Sequence, residues 1–443
     1  MSILGDEWRY AYWTSTDGAL EKGFNPAPGR YAIPIPMLLY QGLFEAFGAD
    51  SYLPFRVVMC FFLALVTGLA YEFMRRRLGY GLALPLAALI PLFGFAGEVV
   101  VNSFRMPGMI SLAATLGALL AIETRTPRRD VLAAVLLVIG VASHPLALAF
   151  VAAVAIIRLP LFLAGRARLA TIGLLAAPAI VFLAVLRPDD PRAEPLTTKL
   201  AEVPEFLFAG LKGLMNALTG FASSSVPIEG LAGFRSPVGI VVVILLAGLV
   251  CRVVWKRRLD SVAVVGLLAA AVIILMAPVF APSDRAPNLG RYVFPAGICV
   301  LLALAELGRG LPAWLAQRNA ATGAATAGLA LLGGLALASN TVELEREARE
   351  YADDSRHVRA QAAALEEVRG QGGVDRSIRI EQSDRNIALI GEKYRFTPAA
   401  GEYYVIADDY GTSAWTPEEL ARQSPEVQRT ARISKQIVLG KLP

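Results

Sequence analysis

Four stretches of this 443-residue chain, 57–70, 238–250, 262–279 and 323–338, contain no charged residue at all. A block that is apolar on every side has no face to offer water, so it is buried all round or surrounded by lipid. A helix needs roughly 20 mainly apolar residues to cross the hydrocarbon of a bilayer. Only 18% of the residues are charged and the mean hydropathy is +0.53, whereas a soluble chain of this length carries more charge and shows apolar stripes. The pattern predicts an all-α polytopic transmembrane bundle of about ten spans. They fall near 54–74, 82–98, 106–122, 131–143, 146–163, 169–187, 237–255, 261–280, 291–308 and 321–339. Cys60, Cys251 and Cys299 lie in or beside these blocks, where a free cysteine acts as a small hydrophobe. No CxxC or Cys/His cluster points to a metal.

The charges between the blocks alternate. Arg75, Arg76 and Arg77 follow the first span, Arg125, Arg128 and Arg129 the third, and Arg158, Arg166 and Arg168 surround the exit of the fifth. Arg252, Lys256, Arg257 and Arg258 follow the seventh, and Arg309 and Arg318 the ninth. Every second loop is basic, and basic loops stay cytoplasmic. The opposite side then holds 1–53, the turn at 99–105, the His144-Pro145 break, a long loop at 188–236, the loop 281–290 and everything from 340 onward. With the N-terminus on that side and residues 1–4 too few to form a span, either an upstream helix is expected, the preferred reading, or 31–48 is more deeply membrane-embedded.

The pI near 9.1 is not the mark of a nucleic-acid binder. Residues 1–339 hold 27 Lys+Arg against 19 Asp+Glu, and residues 340–443 hold 15 against 18. The basic excess therefore belongs to the membrane part, where it orients the spans. Three domains follow: an acidic loop and juxtamembrane helix at 1–53, the helical domain at 54–339, and a soluble domain at 340–443. In the last, 341–369 reads as a solvated helix, and 377–380, 387–390 and 403–406 read as short strands between turn signals. The tail is thus expected to be a small α/β unit.

Five polar constellations stand out on the non-cytoplasmic side. Asp6-Glu7, followed by Trp8-Arg9-Tyr10, sets two carboxylates at an interface, where one can act as general base toward a hydroxyl; it also reads as a solvated acidic turn. Arg30, in Pro28-Gly29-Arg30-Tyr31 ahead of an apolar helix, suits a phosphate or simply a lipid headgroup. Glu98, Asn102 and Arg105 are spaced i, i+4, i+7, which places them on one helical face at the mouth of two spans; the alternative is a structural Glu98–Arg105 pair across a tight loop. Ser143-His144-Pro145 breaks a helix. His144, the one histidine of the membrane part, either meets an anion or proton or satisfies the break. Asp284-Arg285 and then Arg291-Tyr292 with Pro295 put two arginines at the end of a span, suited to bidentate phosphate binding or to snorkelling.

An acidic Asp-Glu in the first outer segment, a Gly-Arg-Tyr segment with proline-rich lead into a helix, the broken helix at 142–145 and the Arg291-Tyr292-x-x-Pro295 motif resemble the GT-C superfamily of glycosyltransferases over roughly residues 5–340. The resemblance implies a polytopic enzyme that transfers a sugar, with inversion, from a polyprenyl-phosphate carrier to a glycan, lipid or protein acceptor outside the cytoplasm. The Ala/Arg/Leu-rich composition suggests a bacterium and hence its inner (plasma) membrane, and the loop charges put the active side and C-terminal domain outside the cytoplasm. Asp6 would then be the catalytic base and Glu7 its support. Arg291, with Arg285 or Arg30, would hold the carrier phosphate, since charge on a leaving phosphate is stabilised electrostatically. Glu98, Asn102, Arg105, His144, Asp284 and Tyr292 complete the expected substrate-binding set, and loop 188–236 would cap the donor groove. The family's first span, ahead of the acidic motif, is absent here. Some members use a divalent metal and others do not; the single acidic doublet points to a metal-independent enzyme with no cofactor. Membrane lipids are expected partners and nucleic acid is not.

Three other readings compete. A transporter or flippase for a lipid-linked or anionic solute would carry repeats and midplane charges, which the sequence lacks. A scaffold would bind a partner through the charged helix at 341–369. A polymerase or ligase of another membrane fold would place its key residues in the long loop, at Arg187, Arg192, Lys199 and Lys212.

Overall fold

In the computed structural model of the chain, residues 6–16, 18–24, 31–124, 126–165, 169–186, 196–219, 261–280, 290–309, 311, 320–371, 374, 376–380 and 398–440 are described. Every regular element among them is helical and none is a strand. The helices are α1 (Asp6–Thr16), α2 (Ala19–Phe24), α3 (Pro34–Phe47), α4 (Leu53–Ala88), α5 (Gly97–Val101), α6 (Met106–Ile122), α7 (Pro127–Ser143), α8 (Ala147–Leu163), α9 (Leu169–Val181) and α10 (Leu196–Thr219). They continue as α11 (Ser261–Met276), α12 (Gly290–Leu307), α13 (Ala320–Val368), α14 (Ala400–Tyr410), α15 (Pro417–Ala421) and α16 (Pro425–Val438).

Three of the described stretches, Leu53–Leu92, Val262–Val279 and Gly290–Leu307, are long and apolar enough to cross a membrane; Met106–Ile122, Ala147–Leu163 and Thr171–Ala184 are shorter apolar helices. The protein is accordingly a membrane protein. Its outward faces agree, because Phe61, Leu84, Val135, Ile180 and Val265 are all exposed. Water would oppose such a surface and lipid tails do not.

Contacts divide the chain into two units. The larger comprises 26–33 and 59–347. At its centre, α12 is buried along most of its length and packs against α10 and α11; α8 packs on α11, and α6 to α9 pack on one another. Glycines let these helices approach closely. A Cβ on Gly266 would lie 2.9 Å from the Ala153 carbonyl oxygen, and one on Gly297 would lie 2.9 Å from the Phe93 ring. The smaller unit comprises 1–25, 34–58 and 348–443. There α1 packs on α2, α3 and α14, and α15 packs on α16.

Several expectations change. The first two spans are not separated by a loop: α4 runs through Arg75–Arg77 and is interrupted only at Gly79, whose φ of 73° lies where glycine alone is unstrained. The second span stops short of 98, because Ile90–Leu92 and Gly94–Ala96 tighten into 3-10 turns. Inside the expected loop 188–236 lies α10, a 24-residue helix packed on α11 and α12. The span near 237–255 falls outside the described residues.

The C-terminal region is all-α among its described residues, not α/β. The aromatic run at 403–406 reads as a strand by propensity, yet it lies within α14. Ala400, Tyr403, Tyr404 and Ile406 are buried, a near-helical spacing that packing enforces over a weak β preference. Residues 377–380 are not a strand either. The carbonyls of Arg376 and Ile378 accept from the Gly401 and Ala400 N–H groups at 2.8 and 3.0 Å, so they serve the start of α14 rather than a sheet ladder. Segment 387–390 lies outside the described residues. The helix at 341–369 is not solvated all round, since Tyr351, His357, Gln361, Ala364, Leu365 and Val368 are buried.

Candidate functional site

In the larger unit, motifs far apart in sequence converge where α6 and α12 begin. The turn after Leu92 is built on close approach. A Cβ on Gly97 would lie 2.8 Å from the Glu347 Cβ, and one on Gly290 would lie 3.1 Å from the Ala96 Cα. Asn340, fully buried, accepts from the Gly94 N–H at 2.9 Å through Oδ1 and donates through Nδ2 to the Ala336 carbonyl at 3.0 Å. It holds the 3-10 turn against α13, and it satisfies a backbone group that burial would otherwise leave costly.

The next residues carry charge. Glu98 lies in the first turn of α5, and Asn102 caps its C-terminus with an extended backbone. Ser103–Arg105 then forms a 3-10 turn that feeds α6. Glu98, Asn102 and Arg105 therefore do not share one face of a continuous helix. The chain turns back instead, and Arg105 forms an ion pair with Glu98 across that turn. The Glu98 side chain remains 37% exposed, so this pair is reachable. On α13, Arg346 pairs with Glu343 and stands 3.7 Å from Glu347.

Arg291 and Tyr292 open α12, which packs on α5. The Arg291 guanidinium lies 5.4 Å from the centre of the Tyr292 ring, and Tyr292 is buried. A cation within about 6 Å of an aromatic ring centre is attracted by the ring's quadrupole. His144 ends α7, donating its N–H to the Gly140 carbonyl at 2.9 Å. Its carbonyl accepts from Ser111 Oγ at 3.4 Å, and its Nδ1 accepts from the Leu146 N–H at 3.2 Å. The last bond leaves the ring proton of the neutral form on Nε2. Ser111 is six residues beyond Arg105, roughly 9 Å along α6. Glu98, Asn102, Arg105, His144, Arg291 and Tyr292 thus gather toward one end of the bundle.

Asp6 and Glu7 belong to the smaller unit, at the start of α1. That helix is held by aromatic packing. Trp8 is fully buried and meets Tyr403 edge-on at 5.4 Å, and Tyr10 lies 4.8 Å from Tyr40. At its far end Tyr410 donates to Thr14 Oγ1 at 3.2 Å, and Ser15 donates to Asp409. Burial pushes both the Tyr403 and the Tyr410 hydroxyls upward from the usual tyrosine range, so both stay protonated and available as donors. Arg30, Asp284 and Arg285 lie outside the described residues. Among the described residues no cluster of His, Cys, Asp and Glu is arranged to hold a metal ion.

Sequence reasoning missed Asn340, the Gly94-x-x-Gly97 turn and the α14 residues that hold α1. The first two left a signal: an asparagine closing an apolar run, and paired small residues at helical spacing. The third left none, because nearly 400 residues separate the partners. Comparison with known protein families, with curated proteins and with solved structures returns no match.

Proposed function

We propose that the chain is a polytopic membrane glycosyltransferase of the GT-C type. It moves a sugar from a polyprenyl-phosphate carrier to a hydroxyl of a glycan, lipid or protein acceptor outside the cytoplasm. In this reading about ten apolar stretches traverse the bacterial plasma membrane. The Arg75–Arg77 end is cytoplasmic, and the Glu98 end and residues 340–443 are outside. The observation that carries the reading is the gathering of Glu98, Arg105, His144 and Arg291 at one end of the bundle, where Glu98 stays partly exposed. Ionisable groups at membrane depth are costly and concentrate where a polar substrate passes.

The chemistry assigned to these residues is simple. Asp6 takes the proton of the acceptor hydroxyl as that oxygen attacks the anomeric carbon. The bond from the anomeric carbon to the phosphate oxygen breaks, and polyprenyl phosphate leaves with the electron pair. Glu7 supports the base. Arg291, with Arg30 and Arg285, stabilises the charge that grows on the departing phosphate. Glu98, Asn102, Arg105, His144, Asp284 and Tyr292 line the path of the polar groups.

The test uses the purified chain in proteoliposomes with a panel of radiolabelled polyprenyl-phosphate sugars. Asp6→Asn should abolish transfer while insertion and melting behaviour stay unchanged, and Arg291→Ala should chiefly raise the KM for the donor. Full transfer by Asp6→Asn would overturn the assignment of the base. Absence of transfer from every donor by the unaltered chain would overturn the enzyme reading.

A further inference from the structure

The segment that opens with Asp6 and Glu7 is short, and α1 is only 11 residues long. Isolated helices of that length are marginal in water, so α1 must be ordered by what it touches. One wall of its surroundings is α3, through Tyr10 and Tyr40. The other comes from the far end of the chain. Near the start of α1, the buried Trp8 ring abuts Tyr403 of α14. The Tyr403 hydroxyl is in turn bonded to Thr412 at 2.6 Å. At the end of α1, Thr14 and Ser15 are bonded to Tyr410 and Asp409 of the same helix.

Further contacts tie α14 to α3 and the turn after it. The Tyr410 ring stacks on Phe44 at 5.2 Å, and its carbonyl accepts from the Ala49 N–H at 2.6 Å. Gly411 ends the helix beside Asp50 with φ of 80°, a backbone conformation that favours glycine. These contacts fasten α1 at both ends to one helix of the C-terminal region, all within the smaller unit.

We infer that α14 is the anchor of the acidic segment: Tyr403, Asp409 and Tyr410 are positioning residues that fix α1, and with it Asp6 and Glu7, for work on an acceptor hydroxyl. The C-terminal region is then a structural component of the catalytic unit and not an appended cap. The functional half of this inference rests on the glycosyltransferase reading; the anchoring half does not. A carboxylate that serves as general base must be held within hydrogen-bond reach of its proton, and small displacements from such geometry are expensive in rate.

The experiment measures two things on the full-length protein in nanodiscs: hydrogen exchange of residues 6–16, and sugar release from the same donor panel. Tyr403→Ala should raise exchange across α1 by roughly tenfold and lower turnover by about tenfold or more with donor KM little changed. Tyr403→Phe keeps the ring against Trp8 and should restore both. Should Tyr403→Ala fail to fold, the double variant Thr14→Val with Asp409→Asn loosens the far end of α1 alone and should act in the same direction, while Arg432→Ala on the exposed face of α16 serves as control. Unchanged exchange in α1 with both variants overturns the anchoring. Faster exchange with unchanged turnover overturns the positioning role. If the unaltered chain transfers no sugar, the enzyme reading fails by itself, and the exchange measurement still decides the anchoring.

Discussion

The two ends of the larger unit use the same residue types for opposite purposes. At one end Glu306, only 4% exposed, holds both Arg77 and Arg309, and Glu123 holds Arg76 and Arg77 at 2.7 and 2.8 Å. Alongside, Arg158 donates to Asp130 at 2.6 Å and to the Ile122 carbonyl at 3.0 Å, and Thr171 donates to the second Asp130 oxygen at 2.9 Å. That knot joins α6, α7, α8 and α9 and is almost wholly buried. At the other end Glu98, its side chain 37% exposed, pairs with Arg105 beside glycine-lined turns and a cation near a ring. Buried ions with several partners cannot be lent to a ligand without stranding a charge. A partly exposed pair contributes less to stability and is broken at less cost. The first end is a lock, and the second is the more open of the two.

Substitutions test that contrast in order of size. Asp130→Ala strands Arg158, 3% exposed, and should cost about 3–5 kcal/mol, read as a large fall in folded yield and in the thermal midpoint in detergent. Glu306→Gln leaves Arg77 its second partner Glu123, so the expected loss is smaller, about 1–3 kcal/mol. Gly97→Val drives a side chain into Glu347 and should cost about 1–3 kcal/mol as overpacking, together with a raised donor KM under the proposed glycosyltransferase function. Glu98→Gln should change stability by no more than about 1 kcal/mol, read from the thermal midpoint, while altering the salt dependence of donor binding under the proposed function. If Glu98→Gln proves as destabilising as Asp130→Ala, the two ends are not different in kind and the contrast fails.

The smallest effect sits in the other unit and applies the same rule to a histidine. His357 is 1% exposed, with Nδ1 2.8 Å from Thr430 Oγ1. Burial lowers its pKa below the ordinary 6.5, with nearby Asp353 and Glu426 opposing and Arg356 adding to the shift. The native state therefore prefers the neutral ring. Its contribution is complete above the unfolded value and is lost as pH falls below about 6.5, where the unfolded chain takes up the proton first. Melting of the smaller unit should weaken from pH 7.5 to 5.5, and His357→Gln should flatten that slope.

Particular residues show how much was legible beforehand. The apolar blocks at 106–122, 131–143 and 146–163 became α6, α7 and α8 with boundaries close to those expected, because a run without charge has few other ways to satisfy its backbone. The Glu98–Arg105 pair across a turn was legible only as one of two readings, since spacing alone fits a continuous helical face equally well and the extended backbone at Asn102 leaves no mark in it. The tyrosines at 403 and 404 looked like strand residues because local propensity carries no information about Trp8.

Composition and periodicity thus determined the helical, membrane-bound character of this protein and where its charges interrupt the apolar blocks, for these depend on the transfer of each segment from water and act over a few residues. Which arginines are locked in pairs, which glycines admit a neighbouring helix, and that residues 403–410 hold the helix opening with Asp6 were decided only in three dimensions. Those outcomes depend on which surfaces meet, and a buried charge or ring takes its energy from partners that no local stretch of sequence names.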